Sequence, residues 1–163
     1  MKRKMIGLSL LVIALMGAKC DDTKAVEQFT QTTNRVARYT EDYLKIVDEA
    51  KNQKFISAKQ ATALVTVARQ ENTANADLVA EAAKYIETKP DGTKVLHFTE
   101  EGKANVVRLG SSARDLAIKI ANDPTLVDLP PDVRSKITLI TSGLTAATLS
   151  AYTFATKIKV EKK

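Results

Sequence analysis

The chain is poor in cysteine and histidine, the residues most used for nucleophile–base pairs, transition-metal sites and covalent braces. One cysteine (Cys20), one histidine (His97) and no tryptophan occur among its 163 residues. A lone cysteine excludes an internal disulfide, so the fold must stand on packing alone. A lone histidine excludes the paired Glu-x-x-His ligands of a di-metal bundle site. Glu100 and Glu101 follow His97 only across a helix cap, not at ligand spacing, so His97 reads as a surface histidine. Glycine-rich phosphate loops, nucleophile elbows and paired-cysteine motifs are all missing. These absences argue against an enzyme, and no catalytic residue, metal ligand or cofactor is expected.

An excess of positive charge is present, but it is misleading. The formal net charge is +6, and four of the cations (Lys2, Arg3, Lys4, Lys19) precede Cys20 with no acid among them. Removing those four leaves +2 on a chain that begins at Cys20. A nucleic-acid partner is therefore not expected.

The same four cations belong to an address. Lys2 to Lys4 form a basic start, Met5 to Met16 an apolar centre, and Gly17-Ala18 a small-residue pair. This is the layout of a secretory signal, and its apolar centre is shorter than the roughly 20 residues of a comfortable bilayer span. Residues 1–19 are read as a signal peptide or N-terminal membrane anchor, and residues 20–163 as one helical domain. Cys20 is the candidate lipidation site, because it follows the small pair and precedes the polar Asp21-Asp22. Lys19 argues the other way, since a lipoprotein signal peptidase takes a small side chain there. Plain secretion and an uncleaved anchor stay open beside lipidation.

What the remaining chain does have is helical periodicity. Four segments keep one apolar or small stripe at alternating spacings of three and four. The first runs Val26, Phe29, Thr33, Val36, Thr40, Tyr43, Val47, Ala50, with Asp22 and Thr23 as candidate caps. The second follows the capping-box spacing Ser57 to Gln60 and runs Ala61, Leu64, Ala68, Glu71, Asn75, Leu78, Ala82, Tyr85. The third starts near Thr99, with Glu100 and Glu101 at its positive end, and runs Val106, Leu109, Ala113, Leu116, Ile120. Asn122-Asp123-Pro124 ends it. The fourth opens at Leu129-Pro130-Pro131-Asp132 and runs Val133, Ile137, Ile140, Leu144, Ala147, Ala151, Phe154, Ile158. Four such stripes bury one another most simply as an all-α antiparallel four-helix bundle. Between the second and third helices, Pro90-Asp91-Gly92 and the β-leaning residues Lys94 to Phe98 predict a small hairpin or extended flap.

Two features within the helices bear on function. Glu71 and Asn75 fall on the second seam, inside the polar run Arg69 to Asp77. One reading has Arg69, Glu71 and Asn75 form a polar pocket, with Arg35 as another cation for it. The competing reading has the helix bend or its seam shift, so that these residues meet water. The second feature is the run Ile137 to Thr156, 20 positions without a charge, bracketed by Lys136 and Lys157. It is long enough to cross a bilayer, but eight of its residues are Thr or Ser, which suit a buried bundle helix whose hydroxyls bond back to its own carbonyls.

The sequence thus predicts an exported bacterial envelope protein, periplasmic or membrane-anchored, and non-catalytic. It would act through contacts with an envelope protein partner as a scaffold, adaptor or exclusion factor. The alternative is a small-molecule or lipid-binding periplasmic module with a pocket near Glu71 and Asn75.

Overall fold

The computed structural model describes residues 22–160; the segment read as a leader, residues 1–19, and the candidate lipidation site Cys20 lie outside them. Four helices run up and down: α1 (Asp22–Asn52), α2 (Ala58–Ala83), α3 (Glu100–Ala121) and α4 (Pro131–Lys157). Each packs on two neighbours, α1 and α3 both lying against α2 and α4. The chain is a four-helix bundle.

Local chemistry sets the helix ends. Ser57 accepts from the Gln60 amide at 3.2 Å while Gln60 Oε1 accepts from the Ser57 amide at 2.8 Å, which completes the capping box of α2. Thr99 caps α3 through the Gly102 amide, and Pro131 occupies the first turn of α4, where no donor is missed. Between α3 and α4, Asp123 caps a 3-10 turn over Pro124–Asp128. At the end of α1, Lys54 takes a left-handed φ of 62°. Its amide bonds Lys51 O and the Phe55 amide bonds Ala50 O, the paired bonds of a Schellman termination, whose left-handed residue is usually glycine.

The hairpin between α2 and α3 is two short antiparallel strands, β1 (Ile86–Thr88) and β2 (Lys94–Leu96), in the register Ile86 opposite Leu96. Gly92, at φ 83°, turns the chain after Pro90-Asp91. The Thr23 hydroxyl accepts from the Lys94 amide at 3.1 Å and ties β2 to α1.

Side-chain burial follows the predicted seams closely in α1, where all eight positions are buried. In α2, seven of eight are buried, and Tyr85 lies past the helix end, half-buried and stacked on Phe98. The buried face of α3 is turned by about one position. It comprises Gly102, Val106, Gly110, Ala113, Ala117 and Ile120, while Leu109 and Leu116 flank it half-buried. Close approach explains the shift, because a Cβ on Gly110 would lie 3.3 Å from Tyr152 Cα. The core face of α4 likewise takes in Thr141, Thr148 and Ala155, leaving Val133, Ile140 and Phe154 half-buried. Tyr39 and Tyr85 lie over Gly143 and Gly102, where any Cβ would overlap their rings.

The threonines in these seams solve their own hydrogen bonding. Thr33, Thr40 and Thr148 donate to the carbonyls of Phe29, Val36 and Leu144, four residues earlier in each case. Each therefore packs as a small side chain without an orphan hydroxyl. By length and composition α4 could cross a membrane; in the bundle it lies against α1 and α3.

Leu144 is fully buried, so Leu144→Ala should lower unfolding free energy by about 2–5 kcal/mol in urea titration. Lys54→Gly should raise it by about 1 kcal/mol, because glycine takes the left-handed conformation without the usual penalty. An unchanged midpoint for either variant would contradict the helix phase or the termination described here.

Candidate functional site

The apolar core is two clusters. One gathers Val36, Tyr43, Leu64, Ile120, Ile137 and Leu144 toward the end carrying the α1–α2 and α3–α4 links. The other gathers Phe29, Leu78, Phe98, Val106, Ala151 and Ile158 toward the hairpin. Between these clusters, α2 contributes Glu71 and Asn75 and α1 contributes Thr33, all buried. Glu71 and Asn75 are one turn apart on α2, which keeps both on the face that meets α1.

Neither residue faces water, so the reading that turned them outward is corrected: the α2 seam stays in phase through its polar stretch. Glu71 has no exposed surface. Its Oε2 lies 2.6 Å from Thr40 Oγ1, and Asn75 Nδ2 donates to the backbone carbonyl of Thr33 at 3.1 Å. Both contacts cross from α2 to α1. The other oxygens of the pair, Glu71 Oε1 and Asn75 Oδ1, are buried and have no protein partner. Burial pushes the Glu71 carboxyl up to about 7, although its bond with Thr40 opposes the rise. Deeper in the first cluster, the Tyr43 hydroxyl is also buried without a partner. Burial, followed by the field of Asp123, pushes its phenol well above its ordinary range.

Arg69 is not part of this site. It is exposed, and it lines an open groove of about 580 Å³ between α2 and α3 with Gln70, Thr73, Asp77, Arg108 and Leu116. The three residues that sequence reading grouped as one pocket therefore divide between two faces of α2: Glu71 and Asn75 inward, Arg69 outward. Arg35 is exposed on α1. The spacing itself separates them, since two positions along a helix turn a side chain by about 200°.

His97 stands beside the hairpin with Nε2 3.4 Å from Glu87 Oε2. That neighbour comes from strand register, which extends the β1–β2 ladder to the His97 amide and Tyr85 carbonyl. Among the described residues, no three His, Cys, Asp or Glu side chains gather as a metal site. Comparison with protein-family models, with characterised proteins and with solved structures gives no match.

The chemistry available to the buried cluster is proton binding. Its one carboxyl is buried, and the hydrogen-bond partner it has among the described residues is the Thr40 hydroxyl. Replacing Thr40 by Val removes the one hydrogen-bond partner that the Glu71 carboxyl has among the described residues and should cost about 1–3 kcal/mol in chemical denaturation. A variant as stable as the parent would mean that the contact is not made.

Proposed function

We propose that the chain is an exported bacterial envelope protein, a non-catalytic four-helix bundle that acts by holding a protein partner, as a scaffold, adaptor or exclusion factor. The leader and Cys20 support an envelope address, with the bundle carried at or near the membrane. The observation that carries the contact reading is the outward face of α4. Between Lys136 and Lys157 it exposes Thr138, Leu139, Ser142, Ala146, Leu149, Ser150 and Thr156, with no charge among them. Leu139 is 75% exposed and Leu149 49%.

The outer faces of the other helices are charged. Exposed Arg35, Arg38, Glu41, Lys45 and Asp48 on α1 and Glu101, Arg108, Asp115 and Lys119 on α3 keep those surfaces hydrated. On α4, the small residues Ser142, Ala146 and Ser150 repeat every four positions, leaving a shallow track flanked by leucines. An uncharged helix of an envelope protein fits such a track, since its backbone approaches closely and no ion has to lose its water.

A photo-crosslinker at position 142, between the two leucines on the same face, should capture one envelope protein in intact cells. Leu139→Lys combined with Leu149→Lys should reduce that capture roughly tenfold or more without lowering thermal stability, lysine being a good helix former. Capture of only a second copy of the chain, or a measurable turnover by a monomer without partner, would contradict the proposal.

A small-molecule or lipid-binding periplasmic module is the second reading. The groove between α2 and α3 favours it, with Arg69 and Arg108 as cations for an anionic headgroup. In that reading the ligand lies on the outside of α2, not at Glu71 and Asn75. A ligand retained in native mass spectrometry and lost in Arg69→Ala would support this reading over the first.

A further inference from the structure

We propose that Glu71 is a proton-held latch between α1 and α2: the bundle closes over the neutral acid, and loss of its proton frees the middle turns of α2 from α1. Thr40 has one proton for two acceptors. Thr40 Oγ1 lies 2.9 Å from Val36 O and 2.6 Å from Glu71 Oε2, yet a hydroxyl owns a single proton. With Glu71 neutral, its own proton bridges Oε2 to Thr40 Oγ1, and the threonine proton continues to Val36 O. Every member of that chain is then satisfied. With Glu71 ionised, the helix carbonyl and the carboxylate compete for the one threonine proton, and Oε1, like Asn75 Oδ1, has no protein partner.

Among the described residues, no buried cation offsets a charge there. At these middle levels α1 turns inward Thr33, Val36, Thr40 and Tyr43; α3 supplies Val106, Gly110, Ala113 and Ala117; and α4 supplies Leu144, Ala147, Thr148 and Ala151. Tyr43 is the one ionisable group among them, and it is an acid held neutral by its own burial. The nearest turns of α2 add Ala68, Ala74 and Leu78 inward, while Arg69 and Asp77 point to solvent. The half-buried Arg114 of α3 is engaged with Asp115 and the Tyr152 ring.

A buried carboxylate without a cation is relieved by water. The Glu71–Thr40 and Asn75–Thr33 bonds both cross the α1–α2 seam and no other, so water enters there at the least cost in contacts. The sign follows from linkage. The closed state keeps its proton up to about pH 7, whereas a hydrated glutamate releases it near 4.5. Closure is therefore favoured at low pH, weakens as pH rises through that window, and levels off above it.

Amide exchange of the full chain, corrected for the intrinsic rise of exchange with pH, reads the latch directly. From about pH 5 to about pH 8, opening of the α1 and α2 amides around Thr40 and Glu71 should increase on the order of a hundredfold. Glu71→Gln, which cannot ionise, should remove that increase. The carboxyl carbon of Glu71, followed by NMR in the unmodified protein, should titrate near neutrality; it decides the matter alone if the variant does not fold. Parallel exchange profiles for parent and variant, or titration in the ordinary glutamate range, would overturn the proposal.

Discussion

Close contact between helix backbones is the constraint on which this bundle depends. With no disulfide, no tryptophan and four tyrosines, stability has to come from seams narrow enough that alanine, glycine and threonine fill them. Gly143 and Gly102 accept whole tyrosine rings, and Gly110 lets α3 touch the backbone of α4. Threonine is admitted to the seams because each buried hydroxyl spends its proton on its own helix. Among these small and apolar seam residues, a carboxyl without exposed surface at position 71 is unusual.

The buried acid and amide give the α1–α2 pairing a register that apolar packing alone would not. Sliding α2 by one turn would keep small residues against α1 but would strand Glu71 and Asn75 without Thr40 and the Thr33 carbonyl. The polar pair also separates two apolar clusters, so each end of the bundle has its own core. Loosening the middle need not dissolve either end. The proposed latch at Glu71 and the proposed partner surface on α4 lie on different helices, joined through α1, which packs on both α2 and α4.

Much of this architecture is legible in the chain itself. The α1 stripe is regular enough that its predicted and buried positions coincide, and Ser57–Gln60, Thr99 and Pro131 mark helix starts through backbone chemistry that acts locally. Helix phase in α3 and α4 is harder to read. Leu109, Leu116, Ile140 and Phe154 look like the core, yet the backbones approach at Gly110, while Ala117 and Thr148 take buried places, and these larger side chains lie at the flanks. Tertiary pairing also lies outside the pattern. Nothing local announces that Thr23 will meet Lys94, that Glu87 will stand beside His97, or that the Lys54 backbone will turn left-handed. The proposed polar pocket divided for a simple reason: Arg69 and Glu71 are near in sequence but face opposite ways on a helix.

A neutral carboxylic acid at the centre of the bundle is the claim on which the packing, the pairing of α1 with α2 and the latch all converge. Infrared difference spectroscopy between the parent protein and Glu71→Gln, slightly below neutral pH, tests it most directly. A protonated-carboxyl carbonyl band present in the parent and missing from the variant is the predicted result. A carboxylate band in its place would mean that Glu71 is ionised in the folded protein, and the account of the core would be wrong.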